Sequence, residues 1–157
     1  LNTNYWNYLG ATWQNLIATT TWHLGGMTSS VNTAKAFYDG ERNNAGFDSN
    51  PTTYTDEIGL MYPSDYGFAA SSSAWGTDMH LYSDSAITSN NWMYMGFYEW
   101  IITPNSSYSH GVFYLNATGD LAYTRDIGYS VRPSFYLTSS VNYVSGSGTE
   151  ADPIRIN

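Results

Sequence analysis

The sequence predicts an α+β fold in which helices come first and a twisted antiparallel sheet with long loops follows. Three observations carry this. Leu1, Tyr5, Leu9, Trp13 and Leu16 recur at steps of three or four residues, the spacing of one helix face. The last 70 or so residues are dominated by aromatic and β-branched residues punctuated by Gly and Pro, the signature of short strands. The full length of 157 residues suits one domain, 1–157, with a core of its own.

Taken in order, residues 1–19 are expected to form an amphipathic helix, weakened at its start by Asn2, Asn4 and Asn7 and in its middle by Gly10. Thr20–Trp22 leaves it as an extended piece, and Gly25-Gly26 marks a turn. Asn32 is placed to cap a second helix, Thr33 to about Arg42, with Ala34, Phe37 and Tyr38 on one side. Asn43–Pro51 is a polar loop. Glu57–Tyr62 resembles a buried strand that Pro63 ends, and Ser71–Ser89 a long loop with one short helix. Trp92–Ile102 is a strongly aromatic strand. Gly111–Asn116 and Asp120–Thr124 flank Thr118-Gly119 as a hairpin. Arg132–Leu137 is a strand that Pro133 confines to an edge or a bulge. Val141–Val144 and Pro153–Ile156 are the last strands, on either side of Gly146-Ser147-Gly148.

Composition excludes several classes of function. Thirteen acids against five cations give a net charge of -8, too few cations to meet nucleic acid phosphates or an anionic membrane surface. Without cysteine there is no disulfide, no thiol chemistry and no Cys-ligated metal. No apolar run reaches the roughly 18 residues of a membrane span. No signal peptide is visible, and Leu1 in place of Met suggests a processed product or an excised piece. Charged residues are only 11% of the chain, while Ser, Thr and Asn supply 50 positions. That surface chemistry points to an extracellular or cell-surface protein. Fifteen Tyr and six Trp suit a binding surface, since such rings combine contact area with a polar tip.

Four blocks carry a resemblance. They are Ile58–Tyr62 with Ser64–Ala70, Asn91–Gly96 with Tyr98-Glu99-Trp100, Val131–Leu137, and the tail Tyr143–Glu150 with Asp152–Ile156. Their order and spacing resemble domains of surface proteins from gut bacteria. Such domains look like C-type-lectin-like folds, related in shape to formylglycine-generating enzymes, and they sit in secreted or pilin-like proteins. The resemblance implies fold and location more than activity. The catalytic cysteines of formylglycine-generating enzymes have no counterpart here. Some C-type-lectin-like proteins are diversified by retroelements whose adenine-directed mutagenesis leaves Asn, Ser, Tyr, His, Asp and Gly. Asn105–His110 is drawn wholly from that set.

The candidate chemistry is weighed residue by residue. His23, His80 and His110 show no metal-ligand spacing and no HExxH, and no GxSxG elbow is present. Glu99 and Asp65 could serve as a glycosidase pair, but Glu99 is better read as an ion-pair partner of Arg132. Calcium, the usual lectin cofactor, would draw on Asp120, Asp126 and the Asn116 carbonyl. Lacking an EF-hand loop or an EPN or QPD triplet, the chain is expected to use no metal and no cofactor. Asn105-Ser106-Ser107 and Asn116-Ala117-Thr118 match the glycosylation acceptor pattern.

These readings predict a non-enzymatic extracellular domain that binds a protein or a glycan through the loops and strands from Trp92 to Tyr129. The contacts would be Tyr98, Tyr108, His110, Tyr114, Tyr123 and Arg125. Val112, Leu115 and Leu121 are assigned to the core, as are Trp13, Trp22, Trp92 and Trp100. The alternative is the globular head of a pilin or filament subunit that self-associates. No contact with nucleic acid or membrane is expected.

Overall fold

A computed structural model describes residues 1–42, 52–108, 110–125 and 127–157. Its centre is the sheet that the hairpin pattern foretold. Strands β5 (Gly111–Leu115) and β6 (Leu121–Thr124) pair antiparallel, with Phe113 opposite Tyr123 and Tyr114 opposite Ala122. The turn between them closes on Asn116, whose Oδ1 accepts the N–H groups of Thr118 and Asp120 at 2.9 Å each. Gly119 supplies the positive φ of 99° that the turn requires. Strand β4 (Glu99–Asn105) lies on the other side of β5. It alternates strictly, turning Glu99, Ile101, Thr103 and Asn105 inward. Strand β7 (Ser130–Val131) runs parallel to β4, giving the order β6-β5-β4-β7.

Helices cover the inner face of this sheet. Helix α3 (Ala34–Arg42) buries Ala34, Phe37, Gly40 and Glu41 at steps of three and four. The Phe37 ring meets Phe113 edge-on at 5.6 Å. Helix α4 (Pro63–Phe68) starts where Pro63 fits the first turn and the Asp65 carboxylate accepts the Tyr62 N–H at 3.0 Å. Gly67 lets the two helices touch, since a Cβ there would lie 2.6 Å from that of Ala34. Tyr66, Met79, Tyr82, Ile101, Leu115 and Leu121 complete the core.

Small antiparallel pairs surround that centre. Strand β1 (Thr20–His23) pairs with β2 (Thr53–Asp56), β3 (Gly59–Leu60) with β8 (Pro133–Ser134), and β9 (Tyr143–Ser145) with β10 (Arg155–Ile156). Short helices α1 (Asn4–Tyr8), α2 (Ala11–Gln14) and α5 (Ser85–Thr88) lie outside. Among the described residues no helix is long and apolar enough to cross a membrane. The architecture is α+β.

Several local expectations are corrected. The first helix is two, because Gly10 adopts an extended ψ of 159° between α1 and α2. Thr33, not Asn32, holds the start of α3, its Oγ1 accepting the Ala36 N–H at 3.2 Å. Asn32 instead donates to Asp78. Residues 57–62 carry only the two-residue β3, and α4 follows at once. The aromatic run begins its strand at Glu99; residues 92–98 form a loop, exposed except at Met93 and Tyr94, which pack against the core, and Gly96 in it has a φ of 72°. Residues 132–137 keep only β8, at an edge as Pro133 required. Trp22 is core, but Trp13 is 46% and Trp92 80% exposed. Trp100, Val112 and Tyr38 are not buried either. The polar loop expected at residues 43–51 lies outside the described residues.

Candidate ligand-binding site

The site is built where the β4–β5 connection meets the end of β6. Asn105, buried at the end of β4, accepts the Ser107 N–H on its Oδ1 at 2.9 Å. Its carbonyl accepts the Tyr108 N–H, and the Tyr108 carbonyl accepts that of Gly111 at 2.9 Å. Ser106 donates to Met27 and Met27 to Pro104, so the connection is tied to the segment before α3. Gly26 permits that approach, since a Cβ there would lie 2.8 Å from the Ser106 Cβ. Each bond fixes backbone, so Tyr108 is presented rather than left loose.

Tyr123 comes from β6. Its register opposite Phe113 puts it on the helix-covered side of the sheet, beyond the core's edge, with the two rings edge-on at 5.9 Å. Tyr108 stacks on it at 5.2 Å with 23° between the planes. Hydrogen bonding with the Tyr108 hydroxyl raises the Tyr123 phenol above its ordinary pKa, against a weaker lowering by Ser29. The stacked pair is one wall of a cleft of about 360 Å³, lined also by His110, Gly111, Thr124 and Arg125. That volume falls in the range of small-ligand sites. Two rings, two hydroxyls, an imidazole and a guanidinium can sandwich or edge an apolar face and direct hydrogen bonds to its polar rim.

Four of the six residues picked from sequence therefore converge: Tyr108, His110, Tyr123 and Arg125. Tyr98 and Tyr114 do not join them. Tyr114 alternates to the opposite face of β5, where Tyr98, Trp100, Tyr114 and Tyr129 form a separate cluster. Tyr129 sits centrally, with ring centroids 4.8–5.0 Å from the other three. Thr124 and Gly111 belong to the cleft but were not singled out, although each adjoins a residue that was.

The remaining candidates have other employment. Glu99, 1% exposed, receives Arg132 Nη2 on Oε1 at 2.6 Å, the pair anticipated from sequence. Burial raises its pKa and Arg132 opposes the rise. The same Arg132 nitrogen donates to the Met93 carbonyl at 3.1 Å. Asp65 caps α4 and lies 3.6 Å from Arg42. Asp120 accepts the Ser83 N–H at 2.6 Å and supports the β5–β6 turn, while Asp126 lies outside the described residues. Among the described residues no three His, Asp or Glu side chains cluster to hold a metal.

A buried carboxylate escaped the sequence reading. Glu41, 2% exposed in the last turn of α3, receives both the N–H and the hydroxyl of Ser64. Desolvation raises its pKa to about 8, against the two Ser64 hydrogen bonds. A helix-face count places Glu41 beside Phe37, and that position was the available signal.

Compared with protein-family models, curated proteins and solved structures, the chain matches none of them.

Proposed function

We propose that the chain is an extracellular, non-catalytic ligand-binding domain of C-type-lectin-like fold, and that it holds a glycan residue in the Tyr108–Tyr123 cleft. The observation that carries this is the convergence of the two stacked tyrosines with His110 and Arg125 around about 360 Å³. A sugar ring offers C–H edges to the aromatic wall and hydroxyls to the imidazole, guanidinium and phenols. The charge-poor, Ser/Thr/Asn-rich composition supports the location. One short connection supplies Tyr108 and His110, so codon changes at those two positions would retune the ligand, while buried Asn105 holds the connection's backbone.

The test is a glycan array read with wild type, Tyr123→Ala and Arg125→Ala. Binding by wild type and a loss of at least about tenfold in both variants, as expected for ring and guanidinium contacts at the centre of a site, supports the reading. Binding that survives both substitutions overturns the assignment of the cleft. Silence across the array, with capture of a protein ligand that Tyr123→Ala abolishes, replaces glycan by protein epitope.

A further inference from the structure

We propose that the sugar taken by the Tyr108–Tyr123 cleft is an acidic one, whose ring carboxylate is received by Arg125 with His110 beside it. The inference deepens the proposed function and rests on it. It comes from what the cleft can donate and what it can accept. Tyr108, His110, Gly111, Tyr123, Thr124 and Arg125 form the lining. Among the described residues no carboxylate and no carboxamide side chain lines it. The guanidinium has N–H donors only, and a neutral imidazole has one donor and one acceptor.

The acceptors that lie close by are engaged. The Tyr108 carbonyl receives the Gly111 N–H at 2.9 Å. The Tyr108 and Tyr123 hydroxyls bond to each other, and Ser29 bonds to Tyr123. Asn105, which stands opposite Gly111 across β4 and β5, has its Oδ1 on the Ser107 N–H at 2.9 Å. An imidazole nitrogen and the Thr124 hydroxyl remain to accept. A neutral sugar enters with several hydroxyls, each a donor that gives up water and needs an acceptor in return. A carboxylate only accepts. The lining therefore suits an anion better than an array of hydroxyls. The other hydroxyls of an acidic sugar keep their water, because Tyr123, His110 and Arg125 are all exposed.

The geometry puts the charge at the edge of the aromatic wall. Arg125 follows β6 directly, and the register that pairs Val112 with Thr124 brings it level with Gly111. Gly111 keeps the floor low, since a Cβ there would come 3.2 Å from that of Tyr108. A ring stacked on the tyrosines carries its carboxylate at its rim, where the guanidinium fork can take both oxygens. Elsewhere the molecule turns anions away, with a net charge of -8. Two other hollows each hold an acid, Asp65 beside Trp92 and Asp39 beside Lys35. The contrast between those hollows and this cleft is what would make the choice of an acidic sugar selective.

An array of carboxylated, sulfated and neutral glycans, read with the whole chain as wild type, Arg125→Gln and Tyr123→Ala, tests this. Each carboxylated glycan that binds is measured again after its carboxyl has been reduced to the primary alcohol, which removes the charge and leaves the ring. The expected result is that carboxylated glycans lead, and that carboxyl reduction and Arg125→Gln each weaken binding at least about tenfold. The two losses should not add, so the reduced glycan should bind wild type and Arg125→Gln alike. Additive losses overturn the inference, because Arg125 then does not meet the carboxylate. Neutral glycans bound as tightly as carboxylated ones, or sulfated glycans alone, with binding lost in Tyr123→Ala, also overturn it and leave glycan binding at the cleft standing. A chain that binds no glycan, or whose binding survives both substitutions, overturns this inference together with the reading it rests on.

Discussion

Replacing Glu41 by Gln isolates the cost of a buried carboxylate. Glu41 has Ser64 as its hydrogen-bond partner, while Asp65 raises its pKa and Arg42 lowers it more weakly. Its ordinary value of 4.5 becomes about 8 in the fold. Below pH 4.5 the group is protonated in folded and unfolded chains alike. Between 4.5 and about 8 the unfolded chain releases a proton that the folded chain keeps, so stability falls as pH rises. Each pH unit across that window is worth about 1.4 kcal/mol, and the whole window on the order of 5 kcal/mol. The amide does not titrate. It keeps an acceptor for the Ser64 N–H, and its N–H donates to a Ser64 hydroxyl that has to turn from donor to acceptor, at a cost of about 1 kcal/mol. Urea unfolding at matched ionic strength should therefore put Glu41→Gln within about 1 kcal/mol of wild type at pH 5 and about 3 kcal/mol above it at pH 8. General repulsion among the acids cancels in that difference. A wild-type-to-variant gap that is equal at the two pH values would refute the argument.

Other consequences are open to measurement. Arg132→Ala leaves the Glu99 carboxylate buried without its cation and should cost about 3–5 kcal/mol in denaturant unfolding. Adding Glu99→Gln should recover part of that loss, and an additive double variant would show that the pair is not coupled. Gly67→Ala drives a Cβ to 2.6 Å from that of Ala34 and should lower stability by about 1–3 kcal/mol; an unchanged melting temperature would mean that α3 and α4 separate freely. The cleft substitutions Tyr123→Ala and Arg125→Ala should both remove ligand; Tyr123→Ala, which also gives up its ring contacts to Tyr108 and Phe113, should cost about 1–2 kcal/mol of stability while circular dichroism still shows a folded chain.

What the sequence made legible were features with local causes. The β5–β6 hairpin was marked by alternation and by a Gly at the turn, and it appears with one residue trimmed from each strand, Asn116 and Asp120. The Glu99–Arg132 pair followed from the scarcity of cations around a buried acid. Which tyrosines share a face depended on register, and register is a property of two strands at once. Tyr114 and Tyr123 point to opposite sides because Tyr114 stands opposite Ala122. Residues 92–98 were read as strand because their rings favour sheets. Asn91, which donates to Tyr66 and accepts the Met93 N–H, and Arg132, which donates to the Met93 carbonyl, shape them into a loop instead. Glu41 was hidden because a charged residue at a helix end reads as solvated, and only the packing of α4 against α3 covers it.

Arg132 has a consequence for the time course of folding. One of its nitrogens reaches Met61, Met93 and Glu99, across sequence separations of 71, 39 and 33 residues. During synthesis the Glu99 carboxylate is made 33 residues before its guanidinium. In a chain lacking residue 132 the β4–β5 pairing can still form, because its contacts are close in sequence. Drying the inner face of β4 against the helices means desolvating a lone anion until residue 132 has been made. Docking of the sheet is thereby deferred behind its formation, and folding is weighted toward the slow side that distant contacts impose. A free chain ending between residues 115 and 132 would keep the β4–β5 pairing with its hydrophobic face still wet, the state most exposed to chaperones and to aggregation.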